Sequence, residues 1–262
     1  MTRVIAVVSG KGGTGKTTVT ANVGVFLANL GKKVLLIDAD VAMANLTLLM
    51  DLSGSPITLH DVLAGDAKAH DALYDYGKNL WVMPSGLAFE TYTRVDMNKL
   101  KKVIDLVRAE FDYILLDCPA GVDKAVIAGI AACDEVILVV NPNAASIADA
   151  LKAKIVSERL GVEPIGCVLN LVQKLQGEVP QDEIVKMLEV PVFAVVPDDS
   201  IFRKGFLMSK PKPAALLNND SLGVQAMKMV AARIAGVPVE AVKVERQGFI
   251  AALMQRLFGK KK

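Results

Sequence analysis

The segment Gly10-Lys11-Gly12-Gly13-Thr14-Gly15-Lys16-Thr17 limits what this chain can fold into more than any other stretch. It follows an apolar run of β character, Val4-Ile5-Ala6-Val7-Val8, and opens directly into an amphipathic helical pattern over residues 17–30. The spacing is G-x-x-x-x-G-K-[ST]. Glycines at these places let the backbone curl around a phosphate with its N–H groups turned inward. Lys16 then reaches the β- and γ-phosphates and Thr17 places its hydroxyl on Mg²⁺, while the helix starting here adds its positive N-terminal end. A chance match in a chain of this composition has a probability on the order of one percent, and the strand and helix flanks lower it further. Gly10, Lys11, Gly12, Gly13, Thr14, Gly15, Lys16, Thr17 and Thr18 are therefore read as a loop that binds nucleotide phosphates.

Five further apolar runs read as strands: Val34-Leu35-Leu36-Ile37, Tyr113-Ile114-Leu115-Leu116, Val136-Ile137-Leu138-Val139-Val140, Gly166-Cys167-Val168-Leu169 and Val192-Phe193-Ala194-Val195-Val196. They are continuous rather than alternating, as expected where helices cover both faces of a sheet. Helical patterns separate them, over residues 98–110 and 146–160 among others. This order predicts an α/β fold: a doubly wound, mostly parallel sheet flanked by helices, of the P-loop NTPase kind, with ligand at the carboxyl ends of the strands. A length of 262 residues with 52% hydrophobic content suits one large domain. Gly236-Val237-Pro238-Val239 closes the last core helix, which divides the chain into an ATPase domain at 1–236, a linker at 237–245 and a separate element at 246–262.

Composition removes several classes of function. A net charge of +2 is too near neutral for a protein that coats nucleic acid. The three cysteines, Cys118, Cys133 and Cys167, form no Cys-x-x-Cys pair, and two histidines are too few for a His-based metal site. No apolar run reaches the length of a membrane span. Met1-Thr2-Arg3 leads straight into the first strand, so a cytoplasmic protein is expected.

Acidic residues stand at two strand ends, in Asp38-Ala39-Asp40 and in Asp117-Cys118-Pro119-Ala120-Gly121. From there a carboxylate faces the same crevice as the phosphate loop. Asp117 fits the role of holding Mg²⁺, directly or through a water. The plainer alternative is that each Asp caps the helix that follows. A guanine reader would carry Asn-Lys-x-Asp after a late strand; here the strand ends are Asn170-Leu171-Val172-Gln173 and Pro197-Asp198-Asp199, so ATP is the expected nucleotide.

The string Lys11-Gly12-Gly13-Thr14-Gly15-Lys16-Thr17-Thr18 resembles the deviant Walker A motif of the MinD/ParA family. Met43-Ala44-Asn45-Leu46, the segment 58–65 around His60, and Asn141-Pro142-Asn143-Ala144-Ala145-Ser146 are similar to its MinD branch, particularly in archaea, and the resemblance covers almost the whole chain. It implies that Lys11 reaches across a dimer interface to the partner's nucleotide, so that Lys11, Lys16 and Asp40 form the catalytic set. Asp40 would orient the attacking water, Asp38 and Asp117 would support Mg²⁺ together with Thr17, and Asn170, Pro197 and Asp198 would flank the adenine. Two departures stand out, Leu171 where Arg is usual and Asn143 where an acid is common. The segment around His60 reads as an ordinary helix turn without a catalytic role. No Glu adjoins Asp117, so hydrolysis is expected to be slow. The resemblance further implies an ATP-dependent homodimer with a protein partner that the sequence does not identify.

The end of the chain has a character of its own. Phe249, Ile250, Leu253, Met254, Leu257 and Phe258 share one helical face, beside Arg246, Arg256 and three terminal lysines. A last helix packed on the core is the commoner outcome for such a pattern. Its terminal position, polar hinge and basic end instead describe an amphipathic helix lying on an anionic membrane, and it resembles the membrane-targeting helix of the MinD branch. The expected protein is thus cytoplasmic and peripheral on the inner face of the cell membrane: a switch that positions a cellular structure. Two other readings share the loop. A ParA-like DNA-partitioning ATPase needs a basic surface, and none stands out before the tail. An iron–sulfur carrier needs paired interface cysteines, whereas Cys118 and Cys133 lie fifteen apart and read as small buried residues.

Overall fold

A computed structural model describes residues 1–87, 94–217 and 220–241. Its eight strands are β1 Arg3–Val8, β2 Val34–Asp38, β3 Tyr74–Gly77, β4 Leu80–Met83, β5 Tyr113–Asp117, β6 Glu135–Val140, β7 Glu163–Val172 and β8 Val192–Pro197. They form one sheet in the order β3-β4-β2-β5-β1-β6-β7-β8, parallel except for the β3–β4 hairpin. Six were legible as apolar runs. The hairpin was not: Tyr74-Asp75-Tyr76-Gly77 is an edge strand with alternating half-buried and exposed positions, paired with the short apolar strand Leu80-Trp81-Val82-Met83.

The continuous apolar runs divide their side chains between two cores, as period-two geometry requires. In β1, Val4, Ala6 and Val8 join one core while Ile5 and Val7 join the other. The first core is covered by α3 Leu59–Ala64, α4 Leu100–Val107, α5 Lys124–Ala131, α6 Ala144–Arg159 and α7 Gln181–Leu188. The second is covered by α1 Lys16–Asn29, α2 Asn45–Leu49, α8 Ser200–Phe206 and α9 Leu222–Ala235. Each large side chain fully buried in this way, Phe26 and Leu27 among them, contributes roughly 1.5–3 kcal/mol.

The expected amphipathic stretch at 17–30 is corrected here. It forms α1, but Val19, Ala21, Val23, Val25, Phe26, Leu27 and Ala28 are all buried, because the helix is clamped between the sheet and α9. Such a helix is apolar nearly all round. Gly236 ends α9 in the left-handed conformation, and a single 3₁₀ turn, Val239–Ala241, follows. The rest of the expected linker and the whole expected tail helix lie outside the described residues. No helix among the described residues is long and apolar enough to cross a membrane.

Candidate nucleotide site

β1 lies in the middle of the sheet, between β5 and β6. Its carboxyl end delivers the loop 9–15 into the crevice that β2 and β5 also enter. Gly15 closes the loop at φ 94 and forms the N-cap of α1. A side chain there would be strained, and its Cβ would stand 2.2 Å from Asn170 Nδ2. Only glycine satisfies both conditions. No side chain caps α1, whereas Asp123, Asn143, Asp199 and Ser221 cap α5, α6, α8 and α9. The first-turn N–H groups of α1 therefore point outward as anion donors.

The loop is braced from the neighbouring strands. Asn170, at the end of β7, donates from Nδ2 to the Thr14 carbonyl at 2.7 Å. Asn141, after β6, donates to the Asn170 carbonyl at 3.1 Å. Asn170 was read from the sequence as an adenine neighbour; its buried amide supports the phosphate loop. Pro197 ends β8. Asp198 accepts from Arg203 Nη1 at 2.7 Å and from Gln173 Nε2 at 2.9 Å, and these partners hold its carboxyl below the usual range. Leu171, between these two borders, takes the left-handed conformation at φ 57, where the β7–β8 register is irregular. A branched side chain in that region is strained, a condition that clusters at binding sites.

The acidic residues come together as the sequence implies. Asp38 and Asp117 are register partners on adjacent strands, and both are buried. Thr17 Oγ1 donates to Asp117 Oδ2 at 2.7 Å, and Thr20 Oγ1 lies 3.4 Å from Asp117 Oδ1. Burial pushes the Asp117 carboxyl up to about 6, against the pull of Thr17 and Lys16. Burial and the Asp117 charge raise Asp38 well above the carboxylate range. Asp38 also does the capping work that the plainer reading assigned to such residues: its Oδ2 accepts from Thr47 N at 2.8 Å and Thr47 Oγ1 at 2.7 Å, in the first turn of α2. Asp40 is half-buried, and its Oδ1 accepts from Met43 N at 3.0 Å. Burial raises its carboxyl, and Lys16 opposes the shift.

The two loop lysines part company. Lys16 is only 8% exposed, and its charge acts on Asp40 and Asp117. Lys11 is half-buried and extends to Asn143 Oδ1, 3.4 Å away at the N-cap of α6. Thr20, Thr47, Ser85, Asn141 and His60 complete the constellation and were not predicted to belong to it. They contribute through contacts between residues distant in the chain, which no local pattern marks. Cys118, Cys133 and Cys167 are all buried and free, and burial pushes the Cys167 thiol up to about 12.

The donor set suits a nucleotide with a divalent cation. An uncapped helix start and a buried ammonium face phosphate, and a hydroxyl beside a carboxylate is the kind of set Mg²⁺ takes when it keeps waters and phosphate oxygens. Asp117→Asn provides a test. In the ligand-free protein the buried carboxyl favours its protonated form, so its contribution to stability is complete below pH 3.8 and is lost as pH rises through about 6. Removing that charge is expected to raise ligand-free stability at neutral pH, by on the order of 3 kcal/mol at most. The same variant should lose the Mg²⁺-dependent gain in melting temperature with nucleotide. Thermal melts across pH, with and without Mg²⁺-nucleotide, check both halves.

A doubly wound parallel sheet with this loop, helix start and pair of strand-end carboxylates defines a P-loop NTPase. The AAA domain family profile matches residues 2–156. The chain is 42% identical over 262 residues to an uncharacterized ATP-binding protein of Methanocaldococcus jannaschii, covering 100% of this chain and 98% of the relative. It is 33% identical over 273 residues to the septum site-determining protein MinD of Synechocystis sp., covering 99% and 100%. MinD of Pyrococcus horikoshii, solved as a complex with Mg-ADP, matches the fold with a TM-score of 0.85 at 40% identity, covering 89% of this chain and 96% of that one. The chain belongs to the MinD/ParA family of P-loop ATPases.

Proposed function

We propose that this ATPase is a membrane-directed switch: ATP drives its dimerisation, the dimer binds an anionic membrane surface to position a cellular structure through a protein partner, and slow hydrolysis releases it. The observation that carries this reading is the separation of the two lysines. Lys16 is committed to its own loop, while Lys11 reaches outward to Asn143, from where it can serve a nucleotide held by a second copy. The outermost charge of the phosphate loop then makes ATP occupancy and dimerisation one event.

Within each site, Lys16 and the first-turn amides of α1 hold the β- and γ-phosphates. Thr17 and Asp117, together with Asp38, would hold Mg²⁺, which when bound would supply positive charge to the phosphates. Asp40 orients the attacking water. Asn170, Pro197 and Asp198 border the adenine. Phosphoryl transfer depends on positioning and charge, and no Glu adjoins Asp117 to act as a strong base, so a monomer turns over very slowly.

Membrane association falls to residues 246–262. A helix of about 13 residues is marginal in water and folds at the lipid surface, so one tail binds weakly. Two tails on one dimer gain by effective concentration, by ~10²–10⁴. Co-sedimentation with vesicles containing anionic lipid should pellet the full chain with ATP and leave it in solution with ADP, and removal of residues 247–262 should abolish pelleting. A truncated chain that still pellets with ATP would refute the tail reading, and ATP-dependent pelleting with DNA instead would favour a partitioning role.

A further inference from the structure

His60 lies on α3, outside the nucleotide motifs, and is 1% exposed. Its contacts are specific. Gly86 N donates to Nδ1 at 2.6 Å, so Nδ1 carries the ring's lone pair and Nε2 carries the hydrogen. That hydrogen points to the Val41 carbonyl, with Nε2 and oxygen 3.1 Å apart. Ser85 Oγ lies 3.2 Å from Nδ1. Burial lowers the imidazole's basicity, which favours the neutral ring that this pattern needs.

Val41 directly follows Asp40, so the chain is tied to a buried ring one residue beyond Asp40. The other end of the tie returns to the same loop. Ser85 N donates to Thr47 Oγ1 at 2.8 Å, and Thr47 Oγ1 donates to Asp38 Oδ2 at 2.7 Å. Two consecutive amides after β4 thus support the loop that carries both acids, Ser85 through Thr47 to Asp38 and Gly86 through His60 to the Val41 carbonyl, one residue beyond Asp40. The packing leaves no slack. A Cβ on Gly86 would stand 2.9 Å from both Cγ and Nδ1 of His60, so the residue after Ser85 must be glycine for the ring to keep its place.

We propose that His60 is a positioning residue for Asp40, holding the loop after β2 in the conformation that hydrolysis requires; the inference rests on the reading that Asp40 orients the attacking water. His60 is buried and bonds to Val41, Ser85 and Gly86 rather than to the phosphate loop, so its loss is expected to act on turnover more than on binding.

The test compares His60→Leu, which removes the acceptor and the donor, with His60→Gln, whose amide offers both about as far apart as the two ring nitrogens. His60→Leu is expected to lower ATP turnover at least about tenfold through misplacement of Asp40, with nucleotide affinity within about threefold of wild type. In the nucleotide-free protein the same variant should speed amide hydrogen exchange over residues 40–43. His60→Gln should restore slow exchange and most of the turnover. Should His60→Leu fail to fold, Gly86→Ala decides, since its methyl displaces the ring and should give the same pattern. Unchanged turnover and exchange in these variants would overturn the proposal, as would a loss of affinity parallel to the loss of turnover or a failure of His60→Gln to recover. Asp40→Ala, assayed alongside, separates the two ideas: if it abolishes turnover and His60→Leu does not, only the His60 proposal falls. If Asp40→Ala turns over normally, the role of Asp40 falls, and exchange over 40–43 still judges the tie.

Discussion

Lys16→Ala is expected to abolish nucleotide binding at the micromolar concentrations of a binding assay. Lys16 is almost fully buried, at the start of a helix whose amides have no side-chain cap. Truncating one partner of a buried charge pair costs roughly 2–5 kcal/mol, which is about 30-fold to 4,000-fold in affinity. Lys11→Ala is expected to behave differently, because Lys11 reaches away to Asn143. Its monomeric affinity should stay within about threefold of wild type, while dimerisation and turnover are lost because the charge supplied across the interface is gone. Titration with a fluorescent ATP analogue, together with light scattering in ATP, measures both variants. Equal loss of nucleotide affinity in the two would remove the role across the dimer.

Asp40→Ala is the second large effect. Asp40 is held by Met43 N and stands in the field of Lys16, but no residue needs it to complete the phosphate loop. Nucleotide affinity should therefore persist, while turnover falls by about 10²–10⁴, the usual weight of a positioned acid or base. With hydrolysis blocked, ATP should hold the dimer together and keep it on vesicles. Phosphate release and gel filtration in ATP give the two readouts, and wild-type turnover would take Asp40 out of the mechanism.

Asp38 shows where reading from the sequence reached its limit. The sequence offered two roles for a strand-end Asp, metal support or helix capping. In the structure its carboxylate accepts from the first turn of α2 through Thr47 and lies in register with Asp117, so the capping role does not take it out of the crevice. Asn170 shows a second role of the same kind, bracing Thr14 through its buried amide, that no local pattern marks. His60 was dismissed because a lone histidine in a helical pattern carries no signal. Its partners Val41 and Gly86 are 19 and 26 residues away, and single-sequence periodicity does not see such pairs. The edge strand β3 escaped for a related reason, since Tyr74-Asp75-Tyr76-Gly77 lacks the apolar run that marks a buried strand.

The phosphate loop, the sandwiched sheet and the C-terminal end of the last core helix were determined by the sequence alone. Each rests on local chemistry: glycines that free the backbone, continuous apolar strands, and Gly236 in the left-handed conformation after α9. What only the tertiary structure decided is how the acids and lysines are held. Register between β2 and β5 sets Asp38 beside Asp117. Burial then raises both carboxyls, and packing turns Lys16 inward while Lys11 reaches out to α6. Hydrogen bonds and desolvation depend on distance in space, and the fold, not the order of residues, brings these groups within range.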